Sequence, residues 1–294
     1  MLTTGVIGAG AMGAGIATRL INTGHQVFVR DIRTGQEEKM AQAGATVAAD
    51  AGSVLRLADT VFVVVVTADQ IDDVLVGQTG LLAALSVLPD PKAKTILLCS
   101  TIAPADTIRL AGKISELGAA VIDAPISGGP ARAYDGSMSI MLAGSADDIA
   151  RNQLVIDAVA ERQFRISEHV GDGAKAKLVN NLAGGIHLAA AAEALAMADR
   201  LGLDLGLMQK LMSASSGQSW VADDRMPRAL AGDFEPRAAT RVLTKDLTLA
   251  AQVAKQAGIS LPLGSEALNR FRAACEAGYA EQDDAAMLKY YRGL

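Results

Sequence analysis

The chain has 294 residues, half of them hydrophobic and 3% aromatic, with a formal net charge of −5. That length suits two domains better than one core, and the acidic balance argues against a nucleic-acid surface, which needs clustered Lys and Arg. Two isolated cysteines, Cys99 and Cys275, cannot build a disulfide framework and point to a reducing cytoplasm, and with three scattered histidines they offer no metal-site spacing.

Met1-Leu2-Thr3-Thr4 carries no charged leader, so neither signal nor transit peptide is expected. A strand at Gly5 to Ile7 leads into a glycine turn and a helix over Ala14 to Asn22, with Gly24 suited to its C-terminus. Gln26 to Asp31 reads as the next strand. Thr34 and Glu37 have the spacing of a capping box for a helix that stops at Gly44. Thr60 to Val66 is a β-branched run expected of a parallel strand covered on both faces, and too short to span a membrane. Thr95 to Cys99 is another such strand; Pro104 then opens a helix. Strands are predicted at Ala120 to Asp123, Ser137 to Leu142 and Gln163 to Ile166. This is the βαβ rhythm of a mostly parallel, Rossmann-like sheet.

The rhythm stops near Gly171-Asp172-Gly173. Beyond it the periodicity is helical: Ala174 to Leu201, roughly 40 Å long at 1.5 Å per residue, then Leu205 to Ser213, Ser219 to Ala231, Arg241 to Ala257 and Gly264 to Gly278. Residues 1–168 are therefore read as an α/β dinucleotide-binding domain and 169–294 as an all-helical domain, with the long helix as connector. His187, Glu193 and two glycines interrupt the apolar part of that helix, so it reads as buried between domains rather than membrane-spanning.

Gly8-Ala9-Gly10-Ala11-Met12-Gly13 follows a strand and opens a helix, the context in which a glycine pattern signals a dinucleotide. Gly8 permits the tight turn, Gly10 lets the backbone approach a pyrophosphate, and Gly13 allows close packing, with the helix N-terminus favouring phosphate. Asp31 ends the second strand, where a carboxylate binds the adenosine ribose hydroxyls and repels a 2′-phosphate. That favours NAD over NADP, although Arg30 and Arg33 beside it offer cations for a 2′-phosphate.

Lys177 and Asn181 stand four residues apart on one helical face. A lysine at the start of an apolar helix is either a proton-transfer group, its pKa lowered by burial beside a cofactor, or a domain-edge lysine reaching for water; Lys175 reads as solvent-facing. After a predicted strand, Ser127, Gly128 and Gly129 offer N–H donors and a hydroxyl suited to a carboxylate, or form an ordinary Pro/Gly turn. The three histidines read as structural.

With Ser100-Thr101 and Lys245-Asp246-Leu247, these motifs give a chain that resembles the 3-hydroxyisobutyrate dehydrogenase, or β-hydroxyacid dehydrogenase, family over essentially its whole length. The resemblance implies an enzyme that moves a hydride between a nicotinamide and the alcohol carbon of a small hydroxy acid. Lys177 would be the general acid/base and Asn181 would orient substrate and lysine. Ser127, Gly128 and Gly129 would hold the substrate carboxylate. Thr101 would lie near the nicotinamide ribose, and Lys245, counted with the cofactor-binding residues, would close the cleft from the helical domain; Asp246 reads as structural, paired with a basic neighbour. The helical lysine argues against the imine-reducing relatives.

The stretch Ser215 to Trp220, Asp223 to Pro227, Gln70, Val74 to Gly77 and the tail from Gly278 to Tyr291 resemble the L-threonate dehydrogenase branch, while Thr67-Ala68 departs from its Asn-Ala pattern. Trp220 either walls a pocket or packs a core, and Arg225 either serves a second anionic group or is an exposed helical arginine. Alternatives are NADPH-dependent reduction of 2-hydroxy-3-oxopropionate (tartronate semialdehyde), oxidation of 3-hydroxyisobutyrate, and a catalytically idle nucleotide-binding protein. The resemblance also implies a homodimer or homotetramer.

Overall fold

The computed structural model describes residues 3–293. Met1 and Leu2, which open the stretch read as leaderless, and Leu294 lie outside them. The chain forms two compact units that divide between Lys177 and Leu178.

The first unit contains β1 (Thr4–Ile7), α1 (Ala11–Asn22), β2 (Val27–Arg30), α2 (Thr34–Gln42), β3 (Thr46–Val47), α3 (Ala51–Leu57), β4 (Thr60–Val63), α4 (Ala68–Leu75) and α5 (Leu81–Leu85). It continues with β5 (Thr95–Leu98), α6 (Pro104–Ser115), β6 (Ala120–Asp123), β7 (Ile126–Ser127), α7 (Gly129–Asp135), β8 (Ser139–Ala143), α8 (Ala146–Arg151), α9 (Gln153–Val159) and β9 (Arg162–Ser167). The sheet order is β3-β2-β1-β4-β5-β6-β8-β7, with β9 beside β8. The first six strands of that order are parallel, and β8 runs antiparallel to β6 and β7.

Strand residues alternate between two cores, because successive side chains point to opposite faces. Val6, Val29, Phe62 and Leu97 pack with Ile16 and Leu20 of α1. Ile7, Phe28, Val61, Val63, Ile96 and Leu98 pack with Leu55, Ile71 and Leu110 on the other face. Burial on both faces is why these strands read as continuous apolar runs. β4 is shorter than its sequence run: Val63 pairs with Ile7 and Leu98, where both neighbouring strands end, and Val64 makes the last bond, to the Ile7 carbonyl. The capping box at α2 does not form. Arg33 is the N-cap residue and makes no side-chain cap bond. Glu37 instead accepts from Arg30 Nη1 (2.6 Å) and the Asp31 amide (3.2 Å), because a cation and a main-chain donor outbid the local pattern.

Helix α10 (Asp172–Arg200) begins in the first unit and continues in the second, followed by α11 (Leu205–Ser213), α12 (Trp220–Leu230), α13 (Thr240–Gln256), α14 (Pro262–Ala274) and α15 (Met287–Arg292). The expected helix ending at Gly278 is regular only to Ala274; a wider turn follows, in which Gly278 takes a φ of +96°. Leu188, Leu195, Met226, Leu247, Phe271 and Met287 form this unit's core. Among the described residues no helix is long and apolar enough to cross a membrane.

One buried polar side chain ties the first unit's layers together. Asn152, at the start of α9, accepts from Thr60 Oγ1 (2.5 Å) and donates to Thr95 Oγ1 (2.9 Å), pinning the starts of β4 and β5. Asn152→Ala leaves two buried hydroxyls unpaired, so urea unfolding should show a loss of roughly 2–4 kcal/mol; a loss below about 0.5 kcal/mol would refute this role.

Candidate active site

Gly8 follows β1 at the point where strand order reverses from β1 to β4, the crevice in which open α/β sheets bind ligands. Gly8 takes a φ of +91°, open to glycine at little cost. A Cβ on Gly13 would overlap the Gly8 carbonyl, which explains the close packing of turn and helix. At Gly10 the nearest atom to an added Cβ is Arg33 Nη2, at 3.5 Å. Gly10 is the N-cap of α1 and gives it no side-chain cap bond, and Ala11, Met12 and Gly13 form the first turn. Such a turn presents main-chain donors and a partial positive charge to an anion.

Asp31 does more than the sequence indicates. It is only 6% exposed, and Oδ2 accepts the Ala9 amide at 2.7 Å. Oδ1 accepts from the Arg33 amide (2.8 Å) and Nε (3.1 Å). Burial raises its pKa, but the Arg33 bonds and charge and the Ala9 amide together hold it below the usual carboxylate range. Asp31 therefore stays ionised and fastens the glycine turn to the end of β2. Of the two flanking arginines, Arg30 is engaged with Glu37 and Arg33 with Asp31.

Ser100 and Thr101 follow the C-terminal end of β5, and the Ser100 hydroxyl is buried without a partner. Ser127 ends β7; Gly128 and Gly129 have φ of +130° and +77° and start α7. A Cβ on Gly129 would meet nothing within 4 Å, so its backbone faces open space. The free approach to Gly10, the uncapped α1 turn, the ionised Asp31 and the orphaned Ser100 hydroxyl fit a dinucleotide along the C-terminal ends of the strands.

Lys177 lies in the second turn of α10, at the division of the two units, and is 6% exposed, so it does not reach out to bulk water. Lys175 is exposed and paired with Asp172 at 2.6 Å, as a solvent-facing lysine should be. Asp123, which ends a predicted strand and has no role legible from sequence, caps the start of α10: Oδ2 accepts the Gly171 (2.8 Å) and Ala174 (3.0 Å) amides.

In the second unit, Asn181 Nδ2 donates to Asp246 Oδ2 at 2.7 Å, and Lys245 Nζ donates to Asp246 Oδ1 at 2.7 Å. Asp246 is 4% exposed. It pairs with its basic neighbour as expected, yet it also orients the Asn181 carboxamide. The signal lay in the helical pattern, since Asp246 shares with Leu243, Leu247 and Ala250 the face that packs on the core.

Arg225 is not an exposed arginine, because two acids engage its guanidinium. Its Nε bonds Asp284 (3.0 Å) and its Nη1 bonds Asp224 (2.7 Å). Trp220 is partly exposed at the start of α12, with the Arg225 guanidinium 5.8 Å from its ring centre. Thr67 caps α4 in a capping box with Gln70, so its hydroxyl does helix-terminal work. Among the described residues no His/Cys/Asp/Glu group could hold a metal ion.

A family model described as the NAD binding domain of 6-phosphogluconate dehydrogenase matches residues 3–171. Another, described as NAD-binding of NADP-dependent 3-hydroxyisobutyrate dehydrogenase, matches residues 171–291. L-threonate dehydrogenase of Escherichia coli is 36% identical over 99% of this chain and 95% of its own. Among solved structures, a 3-hydroxyisobutyrate dehydrogenase from Salmonella typhimurium matches with a TM-score of 0.90 at 35% identity, covering 98% of this chain and 99% of that one. Psf3 in complex with NADP+ and 2-OPP has a TM-score of 0.90 at 28% identity, over 98% and 99% of the two chains.

Because the Asn181 carboxamide bonds the buried Asp246 carboxylate, the effects of removing the two should not add. Urea unfolding of Asn181→Ala, Asp246→Ala and the double variant should give a coupling of roughly 0.5–3 kcal/mol. Strict additivity would show that the carboxamide is not held by the acid.

Proposed function

The chain belongs to the 3-hydroxyisobutyrate dehydrogenase family of NAD(P)-dependent hydroxyacid oxidoreductases, and from that premise we propose that it oxidises L-threonate or a similar short sugar acid with NAD. The observation that carries the acid–base part is a buried lysine on α10, one turn before Asn181. Residues 1–168 serve as the dinucleotide-binding domain and 169–294 as the substrate and oligomerisation domain.

Gly8, Gly10, Ala11, Met12 and Gly13 would hold the pyrophosphate, Asp31 the adenosine ribose and Thr101 the nicotinamide ribose, with Lys245 as a further cofactor-binding residue. When bound, NAD+ supplies the hydride acceptor, C4 of its nicotinamide. Ser127, Gly128 and Gly129 hold the substrate carboxylate and so fix the alcohol carbon. Lys177 Nζ, neutral in the oxidising direction, takes the hydroxyl proton as the C–H bond gives up its hydride and the C=O bond forms. In reduction the ammonium returns that proton and stabilises the developing alkoxide. Asn181 orients substrate and lysine.

The NAD preference is supported by Asp31, which stays ionised, and by the pairing of Arg30 with Glu37. L-threonate is supported by the full-length E. coli relative of that name. The Salmonella structure, similar at 35% identity, carries the 3-hydroxyisobutyrate name and favours that acid as the second reading. Two free cysteines support a cytoplasmic location. Exposed Leu203, Leu207 and Leu211 support self-association as a dimer or tetramer. The acidic net charge speaks against nucleic-acid partners.

The test is a panel of short hydroxy acids with NAD and NADP side by side, together with Lys177→Ala. Reduction of NAD by L-threonate, lowered roughly 10²–10⁴-fold in the variant while NAD still binds, is expected. Turnover retained in Lys177→Ala would assign the proton to another group. Tight cofactor binding without turnover of any acid would favour the idle binding protein.

A further inference from the structure

Asp123 ends β6 and is 1% exposed. The donors that hold it are neutral main-chain amides, those of Gly171 and Ala174 at Oδ2 and that of Gly173. A Cβ on Gly173 would stand 2.9 Å from the Asp123 carboxyl carbon. A side chain there would push the acid off the turn. The first turn of α10 is thus assembled on a buried carboxylate.

Lys177 begins over that same turn. In an α-helix each N–H bonds the carbonyl four residues back, and each Cα–Cβ bond leans towards the N-terminus. The Lys177 stem therefore departs over Gly173 and Ala174, the residues that Asp123 fastens. An asparagine could accept from the same amides at one oxygen. What the carboxylate adds is a negative charge at the start of the helix that carries Lys177. A helix N-terminus carries about half a positive charge, which opposes a nearby ammonium; an ionised Asp123 offsets it.

We propose that Asp123 is the positioning residue for Lys177, fixing the turn from which its stem departs and supplying the negative charge that favours its ammonium form. The proposal rests on the reading of Lys177 as the acid/base group. The titratable groups facing Asp123 are Cys99, just after β5, whose thiol is pushed up by burial and then by Asp123, and Asp172 on α10 itself. Asp172 is turned to Lys175 and Ser167.

Burial pushes the Asp123 carboxyl up to about 6, against the three amides, with Asp172 adding repulsion. The folded protein therefore binds this proton more readily than the unfolded chain. Its contribution to stability falls as pH rises from about 4 to about 6, and above that the charge is carried at a cost.

The experiment compares Asp123→Asn and Asp123→Ala in the full-length protein. Lysine 13Cε NMR titration, assigned with Lys177→Arg, reads the Lys177 midpoint without turnover, and kinetics against pH read its use. In Asp123→Asn the midpoint and the acid limb of the oxidation profile should move together to lower pH, by about one unit. Asp123→Ala should also lose the tether, cutting kcat roughly 10²-fold at unchanged KM for NAD, with Asp123→Asn rescuing most of that loss. At neutral pH Asp123→Asn should unfold at no lower urea concentration than the parent. A Lys177 midpoint unmoved in both variants, or an alanine variant with parental kcat and pH profile but lower stability, overturns the proposal and leaves Asp123 a plain helix cap. Should the parent turn over no hydroxy acid, the NMR midpoint still decides the role of Asp123. Should Lys177→Ala retain turnover, the acid/base reading fails while a shifted midpoint stands.

Discussion

A carboxylate taken out of water is tolerated only where donors surround it, and the functional elements of this chain are organised around three such groups. Asp31 fastens the glycine turn to β2, Asp123 fastens the start of α10, and Asp246 fastens Asn181 of α10 to α13 while pairing with its neighbour Lys245. Each acid is buried, so its partners cannot drift without stranding a charge, a loss that costs several kcal/mol. Rigid placement of the glycine turn, the first turn of α10 and the Asn181 carboxamide follows from that penalty. The surrounding sheet and helices supply the low-polarity setting that makes it large.

Much of the fold was legible because its causes are local. β-branched runs buried on two faces mark the parallel strands, and Gly8 and Gly13 mark a turn that admits no side chain. Gly128 and Gly129 are legible for another reason, positive φ angles that suit glycine. The local signals failed where a long-range partner outcompeted them. Thr34 and Glu37 have capping spacing, but Arg30 and the Asp31 amide claim the glutamate. Val65 and Val66 have strand propensity, but both neighbouring strands have already ended.

The candidate site divides along the same line. Lys177, Asn181, Asp31 and the glycine turn stand out by type and spacing. The bonds made by Asp123 and Asp246 do not, because their partners lie 48 and 65 residues away. The burial of Arg225 is hidden for a related reason: its surroundings are set by Asp284, 59 residues downstream. A buried acid in an apolar pattern is visible in sequence, but what it holds is not.

The acids also differ in a way that spacing alone would not reveal. Asp31 is met by a guanidinium and lies below the usual carboxylate range. Asp123 is met by neutral amides, with Asp172 nearby, and is pushed up to about 6. Burial raises both; the sign of the neighbouring charge decides the outcome. A carboxylate beside a guanidinium keeps its charge across the physiological range and serves as a fixed strut. One held by amides alone keeps its charge conditionally, close to neutrality, and it stands beneath the turn from which Lys177 departs. The same side chain thus gives a permanent anchor at the glycine turn and a proton-sensitive one at the lysine, and the difference is set by whether its donors carry charge.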